Sequence, residues 1–304
     1  MFRFIIICII VIGYLILSIP ILFGEWILGK FDMRKKDISS LRIIQAVFRL
    51  ILKVTGADIT IIGHEKVPTD QAVLYIGNHR SFFDILLTYV LCPGTTGYVA
   101  KKEMEPIPLL SHWMRYLHCL FLNRKDIKEG LKTILTAIEE VKNGISICIF
   151  PEGTRNKGDS ELELLPFHEG SFKIATKTGC PVIPMAIHNS AEIFEAHFPK
   201  IRPCKVVVEY GDPIYPDQLS KEDKKHLGQY TRNVILQMLE KHQTGHVKTD
   251  LHPGIGKPRD LRKFPGKKIR RRNRHLTSVS QSNSKADQQI GQMYLPPENK
   301  QSSH

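Results

Sequence analysis

The sequence predicts an α/β fold: a largely parallel β-sheet flanked by helices, preceded by a membrane-inserting N-terminal helix and an amphipathic interfacial helix. Three observations carry this. Residues 4–24 form an apolar run of 21 residues without a charge. Residues 38–54 show helical periodicity with a polar stripe. From residue 57 onward, short apolar runs alternate with segments of helical spacing, the pattern of strands buried on both faces by crossover helices. The expected organisation is membrane-anchoring helices at 1–56, one α/β domain at 57–245, and a basic tail at 246–304.

As a helix, 4–24 would be about 31 Å long, enough for the hydrocarbon core of a bilayer. A cleaved signal peptide is the alternative. The run exceeds the usual h-region, Arg3 alone makes a thin charged flank, and no small-x-small cleavage site follows, so an uncleaved anchor is expected. Pro20 predicts a kink, which leaves a full span and a membrane dip both open. Lys30, Arg34, Lys35 and Lys36 follow the run and place the next domain on the cytoplasmic side. In 38–54 the polar residues Arg42, Gln45, Arg49 and Lys53 share one stripe, and Leu41, Ile44, Val47, Phe48, Ile51 and Leu52 line the rest. Such a face ordinarily packs into a core. Its basic stripe, directly after a membrane segment, favours an interfacial helix lying on anionic lipid.

In the domain, strands are expected at 59–62, 73–76, 97–100, 120–123, 145–150, 182–187 and 205–210, and helices at 82–91, 109–117, 127–141, 171–178 and 221–242. After His242 the hydrophobic periodicity stops. Residues 255–304 hold 12 Lys or Arg against 3 Asp or Glu, so +9 of the net charge of +13 sits there. The run Lys267-Lys268-Ile269-Arg270-Arg271-Arg272 leads into Ser, Gln and Asn, a composition too polar to fold alone. The tail is expected to be disordered, either solvated or attracted to anionic lipid; a nucleic-acid partner is disfavoured. Six scattered Cys without a Cys-x-x-Cys spacing read as thiols in a reducing compartment.

The chemistry centres on residues 74–84, Leu-Tyr-Ile-Gly-Asn-His-Arg-Ser-Phe-Phe-Asp. The strand breaks at Gly77 and Asn78, and a helix follows from about Ser81. His79 and Asp84 lie five apart, about 140° around an ideal helix, and cannot meet if both are helical. With His79 ahead of the helix and Asp84 in its first turn, the carboxylate can hold one ring nitrogen while the other faces a substrate, a general-base arrangement. The bland alternative is a capping box, Ser81-x-x-Asp84, in which Asp84 only satisfies a backbone amide.

Asn78-His79-x4-Asp84 followed by Phe150-Pro151-Glu152-Gly153-Thr154-Arg155 resembles the glycerolipid acyltransferase family. Two further blocks agree: His118 through Phe121 to Arg124, with His118 where Gly is usual, and Val182-Ile183-Pro184-Met185-Ala186-Ile187. His168 stands where the family often has Lys. The resemblance covers roughly residues 60–215. It implies acyl transfer from acyl-CoA or acyl carrier protein to the hydroxyl of a lysophospholipid, with 1-acylglycerol 3-phosphate as the expected acceptor and phosphatidic acid as product. It implies His79 and Asp84 as the catalytic pair, a substrate-binding set of Arg124, Glu152, Gly153, Thr154 and Arg155, and Pro184 beside the acyl pocket. Glu152 suits orienting these groups better than touching a phosphate of like charge. Arg155 and then Arg124 are the expected phosphate ligands.

A thioester carbonyl is already activated, so neither a metal nor a redox cofactor is required, and His112 and His118 lack the companions of a zinc site. A covalent acyl-enzyme would need an activated Ser or Cys; there is no Gly-x-Ser-x-Gly elbow, and Ser81 reads as a cap. Rival readings are an acyltransferase acting on glycerol 3-phosphate or another lysophospholipid and, more distantly, a non-catalytic membrane-tethered adaptor.

Overall fold

A computed structural model describes residues 1–243, so the expected basic tail at 246–304 lies outside the described residues. In chain order the elements are α1 (Phe2–Leu17), α2 (Ile19–Phe31), α3 (Met33–Thr55), β1 (Asp58–Ile62), β2 (Leu74–Gly77), α4 (Phe83–Tyr89), β3 (Thr96–Lys101), α5 (Leu110–Tyr116), β4 (Leu120–Leu122), α6 (Ile127–Lys142), β5 (Ser146–Ile149), α7 (Lys173–Thr178), β6 (Val182–His188), β7 (Lys205–Tyr210), α8 (Lys221–Lys225) and α9 (Leu227–Gln243). The strands form one seven-stranded sheet in the order β1-β7-β6-β2-β5-β3-β4. Only the β6–β7 pairing is antiparallel. Five strands therefore end on one edge, with β2 in the middle and β5 and β6 on its flanks.

Alternation along these strands divides the core into two. Val73, Tyr75, Cys148, Ile183, Met185 and Ile187 pack with residues of α3, α4 and α5 on one face. Leu74, Ile76, Ile147, Ile149, Val182 and Ala186 pack with α6, α7 and α9 on the other. Burial on both faces is why the strands read as unbroken apolar runs. The expected 221–242 helix is two, α8 and α9, and the expected 171–178 helix is α7 preceded by a 3₁₀ turn over Glu169–Phe172.

The first helices differ from expectation. The apolar run is not one helix: α1 and α2 are bent by 50° at Ser18. Among the described residues no single helix is long and apolar enough to cross a membrane, and only the bent pair reaches that length and hydropathy. Ser18 is buried at the break, its hydroxyl bonded to Leu15 O at 3.0 Å and accepting from Trp113 Nε1 of α5 at 2.8 Å. Pro20 sits in the first turn of α2, where its missing N–H costs nothing, and the 50° break directly before it is the kink that Pro20 predicts.

The amphipathic face of α3 lies on protein. Leu41, Ile44, Ile51 and Leu52 are at most 5% exposed. At roughly 1.5–3 kcal/mol per buried side chain they contribute about as much as a domain's net stability, so α3 belongs to the fold, and the expectation of a lipid-lying apolar face is corrected. Half of its polar stripe also turns inward. Gln45 donates to Tyr89 O and Cys92 O, and Arg49 to Val90 O, meeting carbonyls at and just past the end of α4. Lys36, expected as a free juxtamembrane charge, is buried and paired with Asp37 at 2.7 Å.

His118 locks α3 to the sheet's outer helices. Its φ of 57° is in the left-handed region, which accounts for the family's usual Gly. Here the imidazole lies 3.1 Å from both Asp37 of α3 and Glu140 of α6. Burial opposes its charge, but the two carboxylates outweigh that and raise its pKa from 6.5 to about 9. A raised histidine pKa stabilises the fold fully below pH 6.5 and ceases to do so as pH rises through about 9. His118→Asn keeps a residue tolerant of positive φ while removing the ion pairs. Its melting-temperature deficit against the parent chain is expected to be largest at pH 6.5 and below and to shrink toward pH 9. A deficit constant with pH in thermal unfolding would show that the bridge is not ionic.

Candidate active site

The site is built where β2 stops. Gly77 ends the strand under tight packing: a Cβ there would lie 3.1 Å from the Phe150 ring and 3.3 Å from Met185 Cε. Asn78 is fully buried, and its amide pairs with Ile187 of β6 through both groups, Nδ2 to Ile187 O at 2.9 Å and Oδ1 from Ile187 N at 2.8 Å. A side chain thus extends the sheet by one step and fixes the turn.

His79 is held from both sides of its backbone. Its N–H donates to Glu152 Oε1 at 2.8 Å, and its carbonyl accepts from Asn156 N at 2.7 Å. Its ring stacks on Phe150, centroids 4.4 Å apart at 16°, with the side chain 15% exposed. Nδ1 donates to Asp84 Oδ2 at 2.8 Å, which leaves Nε2 of the neutral ring to carry the lone pair. The same Oδ2 accepts from Arg80 N at 2.7 Å and Ser81 N at 2.8 Å. Orienting the imidazole and capping the turn are therefore one arrangement, and both readings of Asp84 hold together. Ser81 Oγ accepts from Phe83 N at 3.0 Å, in keeping with a cap, and donates to Glu195 Oε2 at 2.6 Å. Burial pushes the Cys92 and Cys119 thiols up to about 11, where they are poor nucleophiles.

The loop after β5 supplies the remaining motif residues. Glu152 is 4% exposed and spends one oxygen on His79 N and the other on Leu165 N at 3.0 Å. Burial raises its pKa, and the two amides pull it back down. Both of its oxygens thus brace the loop. Gly153 takes φ 72°, and a Cβ on it would lie 3.2 Å from the His168 ring. Thr154 is exposed. It lines an open groove of about 880 Å³ together with Arg155, Lys157, Leu162, Leu165 and Arg232.

The two arginines leave different strands of the sheet. Arg155 Nη1 donates to Glu195 Oε1 at 3.1 Å, and its guanidinium lies 3.6 Å above the Phe82 ring. Arg124 follows β4, two strands from β5 in the order β5-β3-β4, a separation of ~10 Å from strand spacing. Burial lowers its pKa, with Glu103 acting against that. Pro184 alternates with Val182 and Ala186 toward α9: a Cβ on Gly211 would sit 2.8 Å from its ring and 3.1 Å from Met238 Sδ. It thus faces away from the side on which Phe150 meets His79.

Sequence reasoning missed the structural duties of Asn78 and Asn156, the stacking of Phe150, and Glu195. Phe150 and Asn78 were inside recognised motifs, so their positions were available. Glu195 lies in a non-repeating connection between β6 and β7 with no signal in sequence.

The acyltransferase family profile matches residues 58–188. The 1-acyl-sn-glycerol-3-phosphate acyltransferase of Saccharomyces cerevisiae is 30% identical over 196 residues, 64% of this chain and 62% of its own. That of Cocos nucifera is 31% identical over 215 residues, 70% of this chain and 65% of its own. That of Borreliella burgdorferi is 30% identical over 200 residues, 65% of this chain and 78% of its own. The chain thus spans just under two thirds of the yeast and coconut relatives. The crystal structure of the 1-acyl-sn-glycerophosphate (LPA) acyltransferase PlsC from Thermotoga maritima superposes with a TM-score of 0.66 at 26% identity, covering 79% of this chain and 95% of that one.

Replacing Glu152 by Gln turns one acceptor into a donor facing a backbone N–H. An unsatisfied buried amide costs about 1–3 kcal/mol, and E152Q is expected to lose that much unfolding free energy in a denaturant titration. A loss within error of zero would mean that solvent reaches these amides.

Proposed function

Because the chain belongs to the acyltransferase family, we propose that it transfers a fatty acyl group from acyl-CoA or acyl carrier protein to the sn-2 hydroxyl of 1-acylglycerol 3-phosphate, giving phosphatidic acid. The observation that carries this reading is the His79–Asp84 pair, with the His79 backbone fixed at its N–H and its carbonyl. His79 Nε2 takes the proton of the acceptor hydroxyl as that oxygen attacks the thioester carbonyl, and Asp84 stabilises the imidazolium so formed. Collapse of the tetrahedral intermediate breaks the C–S bond, and the departing thiol receives the proton from His79. The chemistry needs no cofactor beyond the thioester. Direct transfer is preferred to an acyl-enzyme because Ser81 Oγ bonds Glu195 and Phe83 N, with no bond to His79 among those described. Arg155 is the first candidate for the acceptor's phosphate, and Thr154 beside it lines the same groove. Arg124 remains a second basic group on the same sheet edge.

We also propose that α1 and α2 enter one leaflet and do not span the bilayer. Phe4, Ile7, Ile10 and Tyr14 of α1 pack on the domain, while Ile5, Ile9, Ile12 and Ile16 form an outward stripe, each at least 51% exposed. Phe23, Trp26 and Phe31 extend it along α2. The one acid within these helices, Glu25, is turned inward and bonded by the Ser39 and Ser40 hydroxyls at 2.6 and 2.9 Å. Exposed Arg34 and Lys35 would then face anionic headgroups on the cytoplasmic side, with the basic tail adding to the attraction.

His79→Ala is expected to lower kcat by about 10² to 10⁴ with the fold intact, measured as acyl transfer to a panel of lysolipids and glycerol 3-phosphate. Near-parental turnover would remove His79 from the mechanism, and a preference for glycerol 3-phosphate would change the acceptor. For the membrane reading, the double change Ile9→Gln with Ile16→Gln is expected to weaken sedimentation with anionic vesicles while leaving thermal stability unchanged. Undiminished vesicle binding would contradict it.

A further inference from the structure

The phosphate site proposed above already holds an anion, and that anion is Glu195. Three donors converge on its two oxygens: Arg155 Nη1 at 3.1 Å and Phe82 N at 2.8 Å on Oε1, and Ser81 Oγ at 2.6 Å on Oε2. The Arg155 guanidinium is flattened on Phe82, 3.6 Å from the ring, so it is aimed at this carboxylate and not at open solvent. Ser81 and Phe82 follow His79 directly, so a group in this position lies beside the catalytic turn. Glu195 comes from a single 3₁₀ turn, Glu195–His197, within the connection between β6 and β7. Its side chain is 21% exposed, which leaves it a route to water. The preceding Phe194 stacks on Phe4 of α1 at 5.4 Å, next to the proposed membrane face.

We propose that Glu195 is an internal competitor for the acceptor's phosphate: it occupies Arg155 in the free enzyme and is displaced when the phosphomonoester binds. This rests on the acceptor reading given above. A tethered carboxylate acts at an effective concentration of about millimolar or more, so it lowers apparent phosphate affinity by the fraction of time it occupies the site. A phosphomonoester carries close to two negative charges and three acceptor oxygens against one charge and two oxygens for the carboxylate. Arg155 favours it accordingly, and displaced Glu195 is rehydrated, not stranded. The contact keeps the guanidinium paired and in place before the lipid arrives, at the cost of weaker binding.

The test is a double-mutant cycle on the full chain, with inorganic phosphate binding read by calorimetry and KM for lysophosphatidic acid read by acyl transfer. E195Q is expected to tighten both by about 3- to 10-fold, with KM for the acyl donor unmoved. In an Arg155→Ala background the same change is expected to gain nothing, because no guanidinium remains to be released. Equal tightening with and without Arg155 would show only a general effect of removing a negative charge, and unchanged or weaker phosphate binding in E195Q would make Glu195 a structural brace; either result overturns the proposal. If E195Q does not fold, E195D, which withdraws the carboxylate by about 1.5 Å, is expected to shift both values in the same direction. Calorimetry with phosphate reads the site even if lysophosphatidic acid is not the acceptor, whereas failure of that lipid to react in the parent chain would sink the acceptor reading alone.

Discussion

Five consecutive backbone amides, those of residues 79 to 83, leave the sheet before a helix can take them up, and each finds a side-chain acceptor. His79 N bonds Glu152, Arg80 N and Ser81 N bond Asp84, Phe82 N bonds Glu195 and Phe83 N bonds the Ser81 hydroxyl. A buried amide without a partner costs about 1–3 kcal/mol, so several left unpaired would consume much of a domain's stability. Phe82 N is exposed and can turn to water, but the other four depend on Glu152, Asp84 and the Ser81 hydroxyl, side chains from two separate stretches. That requirement explains why motif positions far apart in sequence are Asp, Ser and Glu.

The same bonds set the chemistry. A general base is useful only if its ring is held against the reacting hydroxyl, and His79 is fixed by its own N–H, its own carbonyl, the Phe150 ring and Asp84. Asn78 ties the preceding residue to β6, so the turn is anchored on both strands beside β2. No single one of these contacts is strong. Their agreement defines one ring orientation, with Nε2 as the outward nitrogen.

Much of this was legible in the sequence. Seven apolar runs gave the seven strands because burial on both faces demands continuous Val, Ile and Leu, and the His79–Asp84 spacing restricted the pair to a strand-to-helix turn. What was not legible depends on tertiary partners. The apolar face of α3 is the same whether it meets lipid or protein; only the position of α4 and the sheet decides, and Gln45 and Arg49, expected in the polar stripe of an interfacial helix, meet the end of α4. The bond that Ser18 accepts at the bend comes from Trp113, ninety-five residues away. The pairing of Arg155 with Glu195 had no signal, because Glu195 lies in a connection without periodicity.

The N-terminal helices and the catalytic turn meet on one face of the sheet, where α1, α3 and α4 share a core with Phe150 at its margin. The account stands or falls on the orientation of that imidazole. Long-range proton–nitrogen NMR correlation on chain labelled at histidine, with His79 assigned by its loss in His79→Gln, reads which ring nitrogen carries the proton in the neutral form. The account predicts a protonated Nδ1 and a bare Nε2. A proton on Nε2 in the free enzyme would contradict it, because the outward nitrogen could then not accept the acceptor's proton.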